Sequence, residues 1–352
     1  MSARPTALIT GGAGFVGTNL ASALVAAGRE VVILDNLSRP GVMRNLRWLQ
    51  NTYGDAVRAE IGDVLERNTV RRALSGAEEV YHLAAQVAVT TSLDSPLDDF
   101  RVNAEGTVVL LEEIRRLRLP PFLLFTSTNK VYGSLPSLEL ERIGDRWLPV
   151  DSELRAAGLS EEVPLDFCTP YGCSKGAADQ YVLDYAKSYG IPAVVFRMSC
   201  IYGPHQHGNE DQGWVAHFAI RALEGSPITL YGDGAQVRDI LYVEDLVEAM
   251  QLARANASRL AGTAFNLGGG PENAVSLLEV VELIEALGTP VRFRRAEERP
   301  GDQRYYVADT TRFGRATGWR PVVNASDGIE RMVRWLADQR EPERVPLRVV
   351  AL

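Results

Sequence analysis

Short apolar runs alternate with helix-length segments through residues 1–200, and this alternation constrains the fold more than any other feature of the chain. Strand-like runs lie at 7–10, 30–35, 57–61, 79–83, 122–127 and 193–198. Helix-length segments lie near 15–28, 66–75, 97–117 and 172–189. Strands that alternate with helices of this length predict an α/β fold built on a doubly wound parallel sheet.

The pattern loosens after about residue 200, where Gly and Pro recur. Helices are predicted near 213–224, 243–255, 276–287 and 325–338. We therefore expect a sheet domain at 1–200 and a smaller C-terminal substrate-binding lobe at 201–345, with some segments returning to the main sheet. The segment 134–170 lacks clear periodicity, and we expect it to loop over the active site.

Composition excludes several classes of protein. With 352 residues, 46% of them hydrophobic, the chain can build a large core, and its net charge of -8 disfavours non-specific nucleic-acid binding. No apolar run approaches the roughly 20 residues of a membrane helix, so no membrane partner is expected. The N-terminus runs directly into a strand and predicts no cleavable signal segment. Three cysteines fit a reducing cytoplasm better than a disulfide scaffold.

A glycine-rich turn follows the first strand and opens the first helix, with the sequence Thr-Gly-Gly-Ala-Gly-Phe-Val-Gly. Gly11 permits the tight turn, Gly14 lets the backbone approach a pyrophosphate, and Gly17 allows the helix to pack closely on the strand. The helix N-terminus then faces the negative phosphates. An ordinary strand–turn–helix corner is the alternative, but the context predicts a Rossmann dinucleotide-binding domain.

The second predicted strand ends in Asp35, whose carboxylate can accept both hydroxyls of an adenosine ribose and would repel a 2′-phosphate. This residue predicts NAD rather than NADP as the cofactor. Arg39 raises the NADP alternative, but we interpret it as a solvated loop arginine. Asp63 follows the third strand and is placed to bond the adenine, and a helix N-cap is the alternative.

A Tyr-x-x-x-Lys motif places Tyr171 and Lys175 one turn apart on the same face of a predicted helix. A lysine ammonium near a phenol lowers its pKa from about 10 toward the working pH, so Tyr171 is a candidate general base for a sugar hydroxyl. The fifth strand ends in hydroxyl side chains beside the expected nicotinamide. Thr128 would hydrogen-bond the reacting oxygen, and Ser127 would support Thr128.

Other polar signals receive structural interpretations. The histidines His205 and His207 lack neighbouring Cys or carboxylate ligands and are interpreted as solvated loop residues, so no metal is expected. Cys173 has no histidine to activate it and is interpreted as a small buried thiol. Trp214 would either stack on a base or fill the core of the small lobe.

These motifs together resemble the extended short-chain dehydrogenase/reductases, a family of sugar-nucleotide epimerases, dehydratases and decarboxylases. The resemblance runs from about residue 6 to about residue 335 and includes His-Leu-Ala-Ala at 82–85, Asn103 and Gly-Asp-Gly at 232–234. It implies that 82–85 lines the cofactor cleft, that Asn103 anchors the catalytic helix and that Arg238 holds a nucleotide diphosphate. The predicted cofactor-binding residues are Gly11, Gly14, Phe15, Val16, Gly17, Asp35, Asn36, Asp63, Val64, Leu83, Ala84, Ala85, Tyr171 and Lys175.

The resemblance also limits which of the family's reactions is expected. Dehydratases of the family carry an acid–base pair after the catalytic threonine, where this chain has Asn129 and Lys130. Longer phrases, such as Ser-Thr-Asn-Lys-Val-Tyr-Gly at 127–133 and Asp-Gln-Arg at 302–304, resemble nucleotide-sugar 2-epimerases of CDP-linked hexoses. They imply inversion of carbon 2 by transient oxidation with bound NAD and re-reduction of the rotated keto intermediate. The predicted substrate-binding residues are Gln86, Thr128, Asn129, Lys130, Arg238 and Arg304.

Alternatives stay open at this point. A UDP- or GDP-hexose epimerase acting at carbon 4 or carbon 2 would share all the catalytic groups. A non-catalytic NAD-sensing regulator should lack the Tyr-x-x-x-Lys motif, which is present. In the family, helices corresponding to 97–117 and 172–189 form a four-helix dimer bundle, so a homodimer or higher homo-oligomer is expected.

Overall fold

Seven parallel strands form the central sheet of the computed structural model, which describes residues 5–299 and 301–340. The strands in chain order are β1 (Thr6–Thr10), β2 (Glu30–Asp35), β3 (Val57–Ile61), β4 (Ala77–His82), β5 (Phe122–Thr128), β6 (Leu140–Ile143), β7 (Arg146–Pro149), β8 (Ala193–Met198), β9 (Cys200–Tyr202), β10 (Ile228–Tyr231), β11 (Val237–Tyr242), β12 (Thr263–Leu267), β13 (Ala274–Ser276), β14 (Phe293–Ala296) and β15 (Tyr305–Tyr306).

Helices cover both faces of the sheet and build the small lobe. They are α1 (Phe15–Ala26), α2 (Val42–Tyr53), α3 (Arg67–Ala73), α4 (Val89–Asp94), α5 (Pro96–Phe100), α6 (Gly106–Arg115), α7 (Ser152–Ala157), α8 (Thr169–Tyr189), α9 (Trp214–Leu223), α10 (Val243–Ala255), α11 (Ala257–Leu260), α12 (Leu277–Ala286), α13 (Thr311–Thr317) and α14 (Ala325–Asp338). A π-helical turn at Arg101–Glu105 joins α5 to α6. No described helix is both long and apolar enough to span a membrane.

The sheet has the strand order β3-β2-β1-β4-β5-β8-β12, with every neighbouring pair parallel. The chain winds outward from β1 in one direction and from β4 in the other, so the direction reverses between these two strands. Loops that leave β1 and β4 diverge there and open a crevice at the carboxyl edge of the sheet, where ligands of such folds bind. The predicted doubly wound Rossmann fold is confirmed.

Burial on both faces explains why the sheet strands are almost continuously apolar. One face packs against α1, α2 and α10, through side chains such as Leu20, Leu46 and Met250. The other face packs against α3, α6 and α8, through side chains such as Leu110 and Val182. A separate core, which includes Phe218, Ile284 and Met332, joins α9, α12 and α14 in the small lobe.

Several elements from the second half of the chain return to the main domain. Strand β12 pairs with β8 at the edge of the sheet, and α10 packs beneath it. The sequence pattern did not predict β12, because its Thr-Ala-Phe-Asn-Leu sequence has only three apolar residues. Asn266 is nevertheless fully buried, since its side chain accepts from the hydroxyl of Tyr132 and donates to the carbonyl of Leu159.

The segment 134–170 differs from its prediction. It contains an antiparallel hairpin, β6–β7, and the helix α7, which Asp151 caps through the N–H groups of Glu153 and Leu154. The hairpin is held to the small lobe, since Trp147 donates from its backbone N–H to Ala235 and from its ring to Asp233. No residue of 134–170 lines the large cavity described below, so the expectation of a loop over the active site was wrong.

Candidate active site

A cavity of about 770 Å³ lies at the carboxyl edge of the sheet, between the main domain and the small lobe. Its walls come from the turn after β1, the ends of β2, β4 and β5, the start of α8, and the small-lobe residues after β9. The cavity therefore occupies the crevice between β1 and β4 that the topology creates.

The glycine turn fits a closely approaching dinucleotide. Gly11 has a φ of +67°, and a Cβ atom there would lie 2.7 Å from the backbone N of Ala84. A Cβ atom on Gly17 would lie 2.6 Å from the Cα of Gly12, so larger side chains would push α1 away from the turn. Helix α1 begins at Phe15, directly after Gly14, and its N-terminal N–H groups are available to phosphates.

The end of β2 supplies the carboxylate predicted for the ribose. Asp35 lines the cavity and accepts hydrogen bonds from the N–H groups of Ala13, at 3.1 Å, and Leu37, at 2.9 Å. Burial raises the pKa of this carboxyl, and the two hydrogen bonds and nearby Arg39 oppose that effect. Arg39 is not a solvated loop residue, as we expected, because it lines the cavity and donates to the side chain of Gln212 at 3.0 Å.

A second polar pair lies beside this carboxylate. Asn36 donates from its amide to Asp63 at 2.8 Å, and Asp63 also accepts from the N–H of Leu65 at 2.9 Å. The N-cap interpretation of Asp63 was wrong, since α3 begins four residues later at Arg67 and is preceded by Glu66. The cavity is lined by all the predicted cofactor residues: Gly11, Gly14, Phe15, Val16, Gly17, Asp35, Asn36, Asp63, Val64, Leu83, Ala84, Ala85, Tyr171 and Lys175.

Helix α8 carries the Tyr-x-x-x-Lys motif into this cavity. Both Tyr171 and Lys175 are buried there, and the ammonium of Lys175 donates to the backbone carbonyl of Thr126 at 2.6 Å. The expected depression of the phenol pKa is absent. Burial raises the pKa of Tyr171 to about 12, although a hydrogen bond with Thr128 opposes this, and burial lowers the pKa of Lys175 to about 7.

The end of β5 presents its hydroxyl groups at the same place. Thr128 lines the cavity and accepts from the backbone N–H of Lys130 at 3.2 Å, which fixes the rotamer of its hydroxyl. Ser127 differs from its prediction. Its buried hydroxyl has no hydrogen-bond partner within residues 5–299 and 301–340, so it does not support Thr128 directly.

A buried polar cluster anchors α8 beneath the site. The amide of Asn103 donates to Ser174 on α8 at 3.0 Å, to Asp99 at 3.1 Å and to the carbonyl of Gln86 at 3.0 Å, and accepts from the N–H of Gln86. Ser174 also bonds the carboxylate of Asp99. Sequence reasoning found Asn103 through the family resemblance but missed Asp99 and Ser174, whose spacing carries no signal on its own.

The small lobe closes the other end of the cavity with charged groups. Arg238 is 6% exposed and donates to Asp302 at 2.7 Å, and Lys130, Arg238, Arg299 and Asp302 all line the cavity. Arg304 was predicted to bind the substrate, but this residue does not line the cavity. It packs over the ring of Trp147 and pairs with Glu298.

The remaining predicted substrate contacts lie inside the cavity. Gln86 lines it while its side chain bonds the backbone N–H and C=O of Ala88, and Asn129 lines it while donating to Gln303 at 3.2 Å. Trp214 also lines the cavity, and its ring lies 5.4 Å from that of Phe218, so both of its proposed roles are compatible with the structure.

Two minor predictions were wrong. Cys173 is exposed on α8 and is not a buried thiol. His205 is not solvated either, because its ring lies 4.3 Å from that of Trp48 and 5.0 Å from that of Trp335, and His207 bonds the side chain of Asn45. In the part of the chain that the structure describes, no group of three His, Cys, Asp or Glu side chains could hold a metal ion.

Comparison with known proteins identifies the family. The model of the NAD dependent epimerase/dehydratase family matches residues 7–268. The CDP-paratose 2-epimerase of Salmonella typhi is 43% identical over 336 residues, which cover 93% of this chain and 98% of that protein. The match therefore extends over nearly the full length of both sequences.

Solved structures of similar proteins share the whole fold. The UDP-glucose 4-epimerase of Thermus thermophilus, in complex with NAD, is 33% identical with a TM-score of 0.78, covering 94% of this chain and 99% of that one. The UDP-glucuronic acid 4-epimerase of Bacillus cereus, in complex with UDP-glucuronic acid and NAD, is 26% identical with a TM-score of 0.81, covering 95% and 99%. The predicted enzyme class and NAD cofactor are confirmed: the chain belongs to the NAD-dependent epimerase/dehydratase family.

Proposed function

We propose that this enzyme inverts carbon 2 of a CDP-linked hexose, converting CDP-paratose to CDP-tyvelose or catalysing a reaction of that type. The observation that carries the proposal is the meeting of Thr128, Tyr171 and Lys175 at one cavity beside the dinucleotide turn. The identity of 43% to a CDP-paratose 2-epimerase supports the choice of nucleotide and of carbon.

The roles proposed for the three catalytic residues concern one oxygen atom, that of the hydroxyl on carbon 2. Tyr171 removes the hydroxyl proton as the carbon is oxidised and returns it on reduction. Thr128, which lines the same cavity as Tyr171, hydrogen-bonds the same oxygen. Lys175, buried one helical turn away, provides the positive charge that favours the phenolate over the phenol.

NAD, when bound, would supply the hydride acceptor and donor. The protein residues proposed to hold it are the glycine turn, Asp35 at the ribose and Asn36 with Asp63 at the adenine. Asp35 already accepts two backbone hydrogen bonds, which orient its carboxylate before a ligand arrives. The same cavity has Gln86, Asn129 and Arg238 at the proposed sugar and diphosphate end, with Arg299 in place of Arg304.

A homodimer in the cytoplasm is part of the proposal. Apolar side chains on neighbouring helices are exposed, with Leu97 at 59%, Phe100 at 53% and Tyr181 at 49%. Helices α5 and α8, which carry them, contact each other and present these side chains on the outside of the chain. The three cysteines are free thiols, which fits a reducing compartment.

Product analysis tests the proposed function. The purified enzyme is incubated with CDP-, UDP- and GDP-linked hexoses, and each product sugar is identified by NMR. The proposal predicts inversion at carbon 2 with a CDP-hexose as the preferred substrate. Inversion at carbon 4 of a UDP-hexose would replace it with the 4-epimerase alternative, and the absence of any epimer from the CDP-hexoses would contradict it.

A further inference from the structure

Lys130 lies two residues beyond the catalytic threonine, at the start of the short helical turn that follows β5. Its backbone N–H donates to the hydroxyl of Thr128 at 3.2 Å, and both residues line the cavity. The lysine is therefore tied by its own backbone to the group that touches the reacting oxygen. Its ammonium lies in the same cavity, beside Gly301 and Asp302.

The ammonium of Lys130 has unused hydrogen-bonding capacity. Among the described residues it donates one hydrogen bond, to the carbonyl of Gly301 at 3.3 Å, and the nearest carboxylate oxygen, on Asp302, is 3.7 Å away. The side chain is 18% exposed. An ammonium carries three donors, and a buried charge with unmet donors is costly, so this group is suited to an anionic ligand.

The neighbouring arginine is held in place by protein acceptors. Arg238 donates to the carbonyl of Val237 at 2.7 Å, to Asp302 at 2.7 Å and to the carbonyl of Gln303. Asp302 is thus one carboxylate facing two cations, Lys130 and Arg238. These three side chains together keep a net positive charge. That charge lines the same cavity as Thr128 and is available to a phosphate.

The chemistry of the sugar explains why a cation is needed so near the reacting carbon. In a nucleotide sugar the diphosphate is attached through oxygen to carbon 1, which is bonded directly to carbon 2. Carbon 4 lies across the ring from carbon 1. A hexose that presents carbon 2 to Thr128 and Tyr171 therefore brings its sugar-linked phosphate next to these residues, whereas one that presents carbon 4 holds the phosphate farther away.

We propose that Lys130 binds the sugar-linked phosphate and thereby selects carbon 2 as the reacting carbon. The inference rests on the proposed function, which it deepens by naming a specificity-determining residue. Lys130 anchors the phosphate while the keto-sugar turns, so the same carbon returns to Tyr171. Arg238 and Arg299 then hold the parts of the nucleotide that lie farther from the reacting carbon.

Binding of CDP and CMP to the holoenzyme separates this role from a structural one. The two ligands differ only in the phosphate that a sugar would carry. Lys130→Met should weaken CDP binding on the order of 10- to 100-fold, as expected for a lost hydrogen bond to a charged group, and leave CMP binding within about twofold. Lys187→Met, on the exposed side of α8, is the matched control and should change neither affinity.

Equal weakening of CDP and CMP by Lys130→Met would overturn the inference, because it would indicate a general distortion of the site. Unchanged binding of both would overturn it too, since no phosphate contact would then exist. Calorimetric titration measures both affinities without requiring turnover.

A second readout keeps this inference distinct from the proposed function. If the wild-type enzyme acts on a UDP-hexose at carbon 4, the proposed function fails. The binding experiment is then carried out with UDP and UMP instead of CDP and CMP. A Lys130 contact to the terminal phosphate in such a 4-epimerase would overturn the selection of carbon 2. In a 2-epimerase, substrate deuterated at carbon 2 should slow cofactor reduction in the wild type, and deuterium at carbon 4 should not.

Discussion

Tyr171 and Lys175 lie in surroundings that disfavour the charged form of each side chain. Burial raises the pKa of Tyr171 to about 12 and lowers the pKa of Lys175 to about 7. The motif alone predicts the opposite for the tyrosine, because sequence spacing places the ammonium near the phenol but does not show the loss of water around both groups. The charges of Tyr171 and Lys175 during catalysis therefore depend on the ligand that binds beside them.

The hydroxyl of Tyr171 is the atom on which the proposed chemistry depends. Tyr171→Phe should lower kcat by roughly 100- to 10,000-fold, the usual contribution of a general acid–base group. The fold should survive, because the ring stays in place. Steady-state kinetics and circular dichroism measure the two effects, with Tyr189→Phe, an exposed tyrosine at the end of the same helix, as control. Near-normal turnover of Tyr171→Phe would remove this residue from the mechanism.

The lowered pKa of Lys175 predicts a pH dependence of stability in the cofactor-free protein. The unfolded chain, with a pKa of 10.5 for this group, binds more protons than the folded protein between about pH 7 and pH 10.5. The free energy of unfolding therefore rises with pH through that window, because Lys175 destabilises the folded protein at lower pH. Lys175→Met should flatten the rise in the free energy of unfolding between about pH 7 and about pH 9, measured in urea. Parallel curves for the two proteins would contradict it.

Individual site residues differ in whether the sequence alone could predict their positions. The glycine turn, Asp35 and the catalytic motif were found because each has a fixed spacing relative to a strand or helix. Arg304 and Arg299 are five residues apart in one irregular segment, and only the structure shows that Arg299 faces the cavity. His205 likewise gave no sign of packing between Trp48 and Trp335, which are distant in the sequence.

Among the elements, α8 depends on a buried ion pair that fixes it to the sheet. Arg197 on β8 donates two hydrogen bonds to the carboxylate of Asp179, at 2.9 and 3.0 Å, and both side chains are buried. Arg197 also bonds the hydroxyl of Tyr132, at 3.2 Å. The pair thereby joins the catalytic helix to β8 and to the turn after β5.

Removal of one member of this pair leaves an uncompensated buried charge. Asp179→Ala should lower the free energy of unfolding by about 3–5 kcal/mol, measured by chemical denaturation. Asp184→Ala, on the exposed side of α8, provides the control and should change stability little. A loss for Asp179→Ala no larger than that of the control would show that α8 is held by its apolar packing alone.

Elements with strong periodicity were predicted well, and those without it were missed. The six predicted strands of the main sheet are all present, with ends that differ by no more than two residues. Helix α2 was missed, although Leu46 and Leu49 pack in the core, because the Pro-Gly pair before it and its many polar residues resemble a loop. The hairpin β6–β7 was missed because its stabilising contacts, through Trp147, reach the small lobe.

At the scale of the whole molecule, both halves of the chain enclose the cavity. Asn19 and Asn45 of the main domain donate to the carbonyls of Pro204 and His205, and Thr90 donates to Asp211 at 2.9 Å. These contacts close the cavity around the proposed cofactor site. Retention of the cofactor through a full cycle is what an epimerase requires, since each oxidation must be followed by a reduction in the same site.

The fate of the hydrogen on carbon 2 tests the central claim most directly. Tyr171 exchanges a proton with the oxygen and Thr128 hydrogen-bonds it, and the C–H bond beside an acetal is too weakly acidic for either to attack. The account predicts that CDP-paratose deuterated at carbon 2 keeps its label in the product in ordinary water. It also predicts that unlabelled substrate gains none at carbon 2 in deuterated water, as measured by NMR. Solvent deuterium at carbon 2 of the inverted product would contradict the account.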